Sequence, residues 1–185
     1  MNFNNHSNLK GNHALLSPSN YHWVNYNDEQ FRNFFVTSKA KEEGTELHAI
    51  AELLIKKKIN VEKQRKTFNM YVNDAIGFRM TPEVVLYYSD VCFGTADAIS
   101  YNRNILRIHD LKTGKTKPSI LQLEIYAALF CLEYHIKPHD IKQIILRLYY
   151  QDDIIEYEPT PDEISEKMDK VKLASKLYFE FEKEI

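Results

Sequence analysis

Asp97, Asp110 and Lys112 are the residues of this chain whose types and spacing could do chemistry. Each acid lies where an apolar, strand-like run would otherwise carry a core residue. Asp97 sits inside Thr95-Ala96-Asp97-Ala98-Ile99, and Asp110 ends the run Ile105-Leu106-Arg107-Ile108-His109-Asp110. A polar turn over Tyr101 to Asn104 separates the two runs, so a hairpin is predicted that brings the carboxylates together. Side chains alternate faces along a strand, which points Asp110 and Lys112 the same way and Leu111 the other. Two carboxylates on neighbouring strands repel unless a cation lies between them. Lys112 is then placed to touch whatever that cation binds. As a partly exposed strand-end lysine, its truncation is expected to cost within about 0.5 kcal/mol of stability.

These residues need elements to hold them. A helix is predicted over Lys41 to Lys57, with Leu47, Ile50, Ala51 and Leu54 as its core stripe. At about 100° per residue, His48 falls roughly 20° from Ile55 on one edge of that stripe, and Glu52 about 40° beyond it. Glu46 lies about 160° away from His48, so His48 and Glu52 can serve one site and Glu46 cannot. The plain alternative for His48 is a boundary histidine. The basic segment Lys56 to Lys58, Lys63, Arg65 and Lys66 is either a solvated helix end or a phosphate-tracking patch. A second helix, Phe68 to Ile76, is expected to close at Gly77, and Glu83 to Tyr88 reads as a first strand.

The hairpin strands follow, Val91 to Ile99 and Ile105 to Lys112, then a loop in which Ser119 is a plausible N-cap. A helix is predicted over Ile120 to Tyr134 with Leu121, Ile125, Ala128 and Leu132 buried. Gln122 and Tyr126 are four apart and share a flank of it. A strand over Ile141 to Tyr150 and a short edge strand over Asp152 to Pro159 come next. A closing helix, Pro161 to Phe181, carries Ile164, Met168, Val171, Leu177 and Phe181 near one face. At the other end, residues 1–13 read as a disordered tail and 14–185 as one domain. There, Ser17-Pro18 is a helix start and Trp23 an anchor. Tyr26 to Val36 reads as a polar-aromatic connector with room for a helical turn.

Composition bounds the function. A net charge of -2 excludes a basic nucleic-acid coat, so any polyanion must be met by a local patch or a bridging metal. Apolar residues at 44% and charged residues at 27% fit an ordinary globular chain. No 18-residue apolar run is present, so no membrane span is expected. The Asn-rich start lacks an apolar signal core and does not read as a secretory signal, which points to the cytoplasm. Cys92 and Cys131 sit in apolar runs and read as buried free thiols.

Four short patterns occur in order along these elements: Gly44-Thr45-Glu46-Leu47-His48, Gly94-Thr95-Ala96-Asp97, Asp110-Leu111-Lys112, and Gln122-Leu123-Glu124-Ile125-Tyr126. Together they resemble the PD-(D/E)XK nuclease superfamily in its RecB-like branch, whose motifs are G-x-x-x-H, G-x-x-D, D-x-K and Q-x-x-x-Y. Two further stretches are similar to phage and prophage proteins of that branch: His13-Ala14-Leu15-Leu16-Ser17-Pro18-Ser19, and Glu43-Gly44-Thr45 running on to His48 and Glu52. The resemblance spans nearly the whole chain. It implies an α/β, restriction-endonuclease-like core, a central mixed sheet flanked by helices in the order αβββαβ.

It also implies a metal-dependent DNA nuclease, an exonuclease of phage recombination or DNA processing. The alternatives are a structure-specific or defence-related endonuclease, and a catalytically weak nuclease-fold DNA-binding module. Catalysis would fall to Asp97, Asp110 and Lys112. The metal ligands implied are His48, Asp97, Asp110 and the backbone carbonyl of Leu111. Hard oxygen donors suit Mg²⁺ or Mn²⁺, and the histidine nitrogen tilts the preference toward Mn²⁺. Lys112 would hold the attacking water or the scissile phosphate. Gln122, Tyr126, Lys115 and Lys117 would shape the site or meet DNA, and Glu52 would orient His48. Relatives with an iron–sulfur cluster use four cysteines, so no such cluster is expected in a chain with two. The implied partners are DNA and a recombination or single-strand-annealing protein, with no membrane; oligomeric state is left open.

Overall fold

Two runs of alternating residues joined by two-residue turns set up the sheet. In the computed structural model, which describes residues 25–114 and 118–184, the strands are β1 (Thr81–Ser89), β2 (Cys92–Asn102), β3 (Ile105–Lys112), β4 (Gln143–Tyr150) and β5 (Asp153–Tyr157). They form one sheet in the order β1-β2-β3-β4-β5. The β2–β3 turn is Arg103-Asn104, with φ of 52° and 58°. The β4–β5 turn is Gln151-Asp152, with φ of 49° and 58°. Two left-handed residues in a two-residue loop match the right-handed twist of the flanking strands. All neighbours are antiparallel except β3 and β4, which are parallel. A parallel pair needs a crossover, and α3 (Leu121–Glu133) supplies it.

Alternation sorts the sheet's side chains into two layers. Leu106 and Ile108 of β3, with Leu146 and Leu148 of β4, pack with α3 and with α4 (Pro161–Glu184). Leu111 and Tyr149 point to the other face. There they pack with Ala51 and Ile55 of α1 (Asp28–Lys57) and with Tyr71, Val72 and Ala75 of α2 (Thr67–Gly77). This is an α/β protein with a five-stranded mixed sheet flanked by helices. The chain falls into two compact units, Met1–Glu43 and Gly44–Ile185. Among the described residues of the first unit, Asn27 and Gln30 exchange side-chain and backbone hydrogen bonds, each 2.9 Å, which caps the start of α1. Helix therefore covers what the sequence suggested as a connector. The predicted start at Ser17, the Trp23 anchor and the side chain of Phe181 lie outside the described residues.

Several helix phases differ from expectation. On α1 the buried line is Gly44, Ala51 and Ile55 with His48 half-buried, while Leu47 and Ile50 are exposed. On α3 the buried residues include Leu123, Ala127 and Cys131, and Leu121 and Ile125 face outward. On α4, Ile164, Val171 and Ser175 are buried and Leu177 is exposed. Thr160 and Glu163 cap α4 reciprocally: Thr160 N–H donates to Glu163 Oε2 at 2.7 Å, and Glu163 N–H donates to Thr160 Oγ1 at 3.3 Å. Gly77 does not end α2 by a left-handed turn. Arg79 takes that conformation at φ 54°, and Met80 N–H closes the motif on Ala75 O at 2.9 Å. Ser119 Oγ does accept the Leu121 N–H, at 3.3 Å.

The basic segment after α1 is partly used up by structure. Lys66 Nζ lies 2.9 Å from Asp152 Oδ2, Arg65 pairs with Asp153 at 3.1 Å, and Asp152 Oδ1 accepts the Thr67 N–H at the start of α2. Two of the cations that could have tracked phosphates thus tie α2 to the β4–β5 turn. Cys131 is a buried free thiol, pushed up to about 12 by burial, whereas Cys92 is only half-buried. Among the described residues, no helix is long and apolar enough to cross a membrane.

Candidate metal centre

The sheet opens where the two acids sit. The β2–β3 pairing runs from Asn102↔Ile105 to Ala98↔His109 and goes no further. Beyond that point Asp97 and Asp110 face a gap in which a side chain takes over the ladder: Leu111 N–H donates to Asp97 Oδ2 at 2.8 Å. On this antiparallel edge a residue's N–H and C=O point to the same neighbour, so the Leu111 carbonyl also faces the gap. The other side of β2 is irregular too. Pairing with β1 skips from Pro82↔Ala98 to Val84↔Ala96, and Glu83, between them, has φ 51°. Ala96 and Ala98 would share a face on a regular strand, yet they pack in opposite layers. The pleat therefore breaks at Asp97. A left-handed non-glycine residue inside a strand is held only by its surroundings, and such conformations gather at functional sites.

The result is a convergence the sequence only half predicted. Ligand atoms of His48, Glu83 and Asp97 all lie within 4.8 Å of one another. His48 Nδ1 is 3.4 Å from Asp97 Oδ2. Burial, then the neighbouring Asp110, raises Asp97 to about 6 from its ordinary 3.8, against the pull of His48 and the Leu111 N–H. Burial likewise raises Asp110, which Lys112 restrains, and Glu83. Three carboxyl groups held above their usual range mark a site short of positive charge, and oxygen donors with one imidazole are what Mg²⁺ or Mn²⁺ would take.

Asp110 belongs to the site differently from Asp97. It is 2% exposed, and its carboxylate is turned onto Lys112, whose Nζ lies 3.1 Å from Oδ1 and 2.9 Å from Oδ2. Only the first contact has hydrogen-bond geometry, and Oδ2 is a buried oxygen without a hydrogen-bond donor. The Lys112 ammonium offsets its charge without giving it a hydrogen bond, which leaves Oδ2 able to act as a further ligand. Lys112 also donates to Gln122 Oε1 at 2.8 Å, which joins α3 to the site. Tyr126 donates to Thr95 O at 2.6 Å.

Two glycines of the motif set have packing reasons. A Cβ at Gly94 would stand 3.0 Å from Tyr126 Cε1, and one at Gly44 would stand 2.7 Å from Thr113 Oγ1. Glu52 does not orient His48: it pairs with Lys56, one turn along α1. Lys115 and Lys117 lie outside the described residues.

Glu83 is the site residue that sequence reasoning missed. It opens the predicted first strand after Thr81-Pro82, so its neighbours do not mark it as the run around Asp97 marks that acid. Glu83→Gln is expected to weaken Mn²⁺ binding by on the order of 10–100-fold, the scale of losing a supporting group around a metal. Calorimetric titration checks this, and unchanged affinity would remove Glu83 from the donor set. A larger hollow, about 470 Å³, lies by Cys131, His135 and Lys172, and none of these acids lines it. Comparison of the chain with protein-family models, with curated proteins and with solved structures finds no match in any of the three.

Proposed function

We propose that this chain is a divalent-metal-dependent nuclease with a restriction-endonuclease-like core, hydrolysing DNA phosphodiester bonds. The observation that carries the reading is the pair of mutually repelling carboxyl groups of half-buried Asp97 and buried Asp110, with Glu83 and His48 beside them and an ammonium at their edge. His48, Glu83, Asp97, Asp110 and the Leu111 carbonyl would hold the ion. When bound, a divalent cation neutralises phosphate charge and lowers the pKa of the attacking water. Lys112 meets the charge that grows on the phosphate or water in the transition state. Gln122 holds that ammonium in place from α3, and Tyr126 closes the wall of the site along β2. Asp97, with its elevated pKa, must lose its proton before an ion can bind, so activity should fall as pH drops below about 6.

The resemblance of the four motifs favours an exonuclease of DNA processing within this reading. The test is a digestion panel of linear duplex, closed circular, single-stranded and RNA substrates with Mg²⁺, Mn²⁺ or EDTA. Cleavage is expected with either ion and none in EDTA, with linear DNA degraded and closed circles spared. Undiminished cleavage in EDTA would sink the mechanism, and efficient cutting of closed circles would replace the exonuclease by an endonuclease.

A further inference from the structure

A groove of about 240 Å³ opens at the carboxyl ends of the parallel strands β3 and β4, and the chemistry above leaves it unused. Leu111 and Lys112 reach it from the end of β3, so it is continuous with the candidate site. Gln151 borders it just past β4, Thr113 just past β3, Phe68 from the first turn of α2, and Leu47 from α1. Leu47 has an exposed side chain because the buried line of α1 runs through Gly44, His48, Ala51 and Ile55 instead. The absence of a Cβ at Gly44 lets Thr113 Oγ1 sit within 2.7 Å of where that atom would be, which sets α1 against the end of β3.

The lining has a definite chemistry. Leu47, Leu111 and Phe68 line it with apolar groups and Thr67, Thr113 and Gln151 with hydrogen-bonding ones, while Lys112 borders it with its ammonium turned to Asp110 and Gln122. A flat ring with polar edges matches that set. The volume falls below the few hundred Å³ of a site for a drug-sized ligand, so it suits one ring system and not a base pair. Ligands of open α/β sheets also favour the carboxyl ends of parallel strands.

We propose that this groove holds a single unpaired nucleobase of the strand whose phosphate lies at Lys112, stacked on Phe68. The proposal rests on the nuclease reading for the position of the phosphate. A base inside a duplex must leave its stack before entering such a groove, whereas a single strand offers bases freely. The substrate class is therefore single-stranded or frayed DNA, engaged in preference to an intact blunt duplex.

Fluorescence anisotropy tests this with a labelled 15-nucleotide oligothymidylate and a blunt duplex of equal length, in Ca²⁺. The wild type is expected to bind the single strand more tightly. Phe68→Leu keeps an apolar side chain packed against the α2 core but removes the ring. It should weaken single-strand binding on the order of tenfold, as loss of one stacked base does, while Phe68→Trp restores it. A melting curve on each variant confirms folding. Equal affinity of the wild type for both DNAs, or wild-type affinity in a folded Phe68→Leu protein, overturns the proposal. Cleavage is scored separately. If the binding pattern holds but no ion supports cleavage, the nuclease reading fails and the groove assignment stands. If cleavage is present and Phe68→Leu binds normally, the groove assignment fails alone.

Discussion

Lys112→Ala is expected to lower single-turnover cleavage by about 10²–10³-fold, the loss seen on removing one electrostatic donor to a transition state. Metal affinity should stay close to that of the wild type, because an ammonium has no lone pair with which to ligate an ion. The side chain is held before substrate arrives: Asp110 and Gln122 both accept from its Nζ, at 3.1 Å and 2.8 Å. A donor fixed in advance spends little on ordering when charge develops, which is why its removal falls on turnover more than on binding.

Stability is affected as well, and more than a surface lysine would suggest. Asp110 is 2% exposed, so its ion pair with Lys112 offsets the cost of burying the carboxylate. Without the lysine that cost is about 1–3 kcal/mol. Asp110 is already raised by burial and held down chiefly by Lys112, so the variant's carboxyl rises further. A raised acid contributes stability at low pH that is lost as pH climbs through its folded pKa. The melting deficit of Lys112→Ala should therefore widen from pH 5 to pH 8. Near-normal cleavage by the folded variant would leave this lysine as a structural partner of Asp110 only.

The hairpin was legible because its two periods, its turn and its acids all agree locally. Asp110 and Lys112 stand where alternation puts them and Asp97 stands where the pleat breaks, while β2 runs past its predicted end at Ile99 to Asn102 and β1 past Tyr88 to Ser89. Helix phase was harder. On α1 two stripes compete: Leu47, Ile50 and Leu54 are the more apolar, but the line through Gly44, His48, Ala51 and Ile55 is the one turned inward. What decides between them is tertiary, the close approach at Gly44 and Thr113. On α3 apolar residues occur all around, so periodicity carries no phase. Glu83 could not be assigned from its neighbours, because its left-handed φ and the missing pair with Asp97 exist only once β1 and β2 have met. Glu52 is the opposite case: its partner Lys56 is four residues along its own helix, a local pair that competes with any role at His48.

Asp97→Asn should abolish cleavage, by at least about 10³-fold, and yet raise the melting temperature of the metal-free protein at neutral pH. The two effects have one cause. Asp97 titrates at about 6 in the folded chain against 3.8 when unperturbed, mainly from burial and then from Asp110. Because the folded pKa is raised, its contribution is full below pH 3.8 and is lost as pH rises through 6. The difference is worth about 3 kcal/mol at most, at 1.36 kcal/mol per pKa unit. Asparagine carries no charge, keeps an oxygen that can accept the Leu111 N–H, and relieves Asp110 of its neighbour. His109 acts in the opposite sense. Burial, then Arg147 and Arg107, lowers it to about 3, so its contribution is present above 6.5 and is lost as pH falls toward 3. Both proteins contain His109, so the difference between their melting curves at pH 4, 5.5 and 7.5 reports the Asp97 charge and its repulsion with Asp110. That difference should be small at pH 4 and grow with pH. Mn²⁺ should then raise the melting temperature of the wild type and not of the variant, since only a folded state that binds the ion gains by mass action. A variant that melts below the wild type at pH 7.5 in EDTA would show that the carboxylate of Asp97 stabilises the empty site, and that charge repulsion is not what prepares it for a cation.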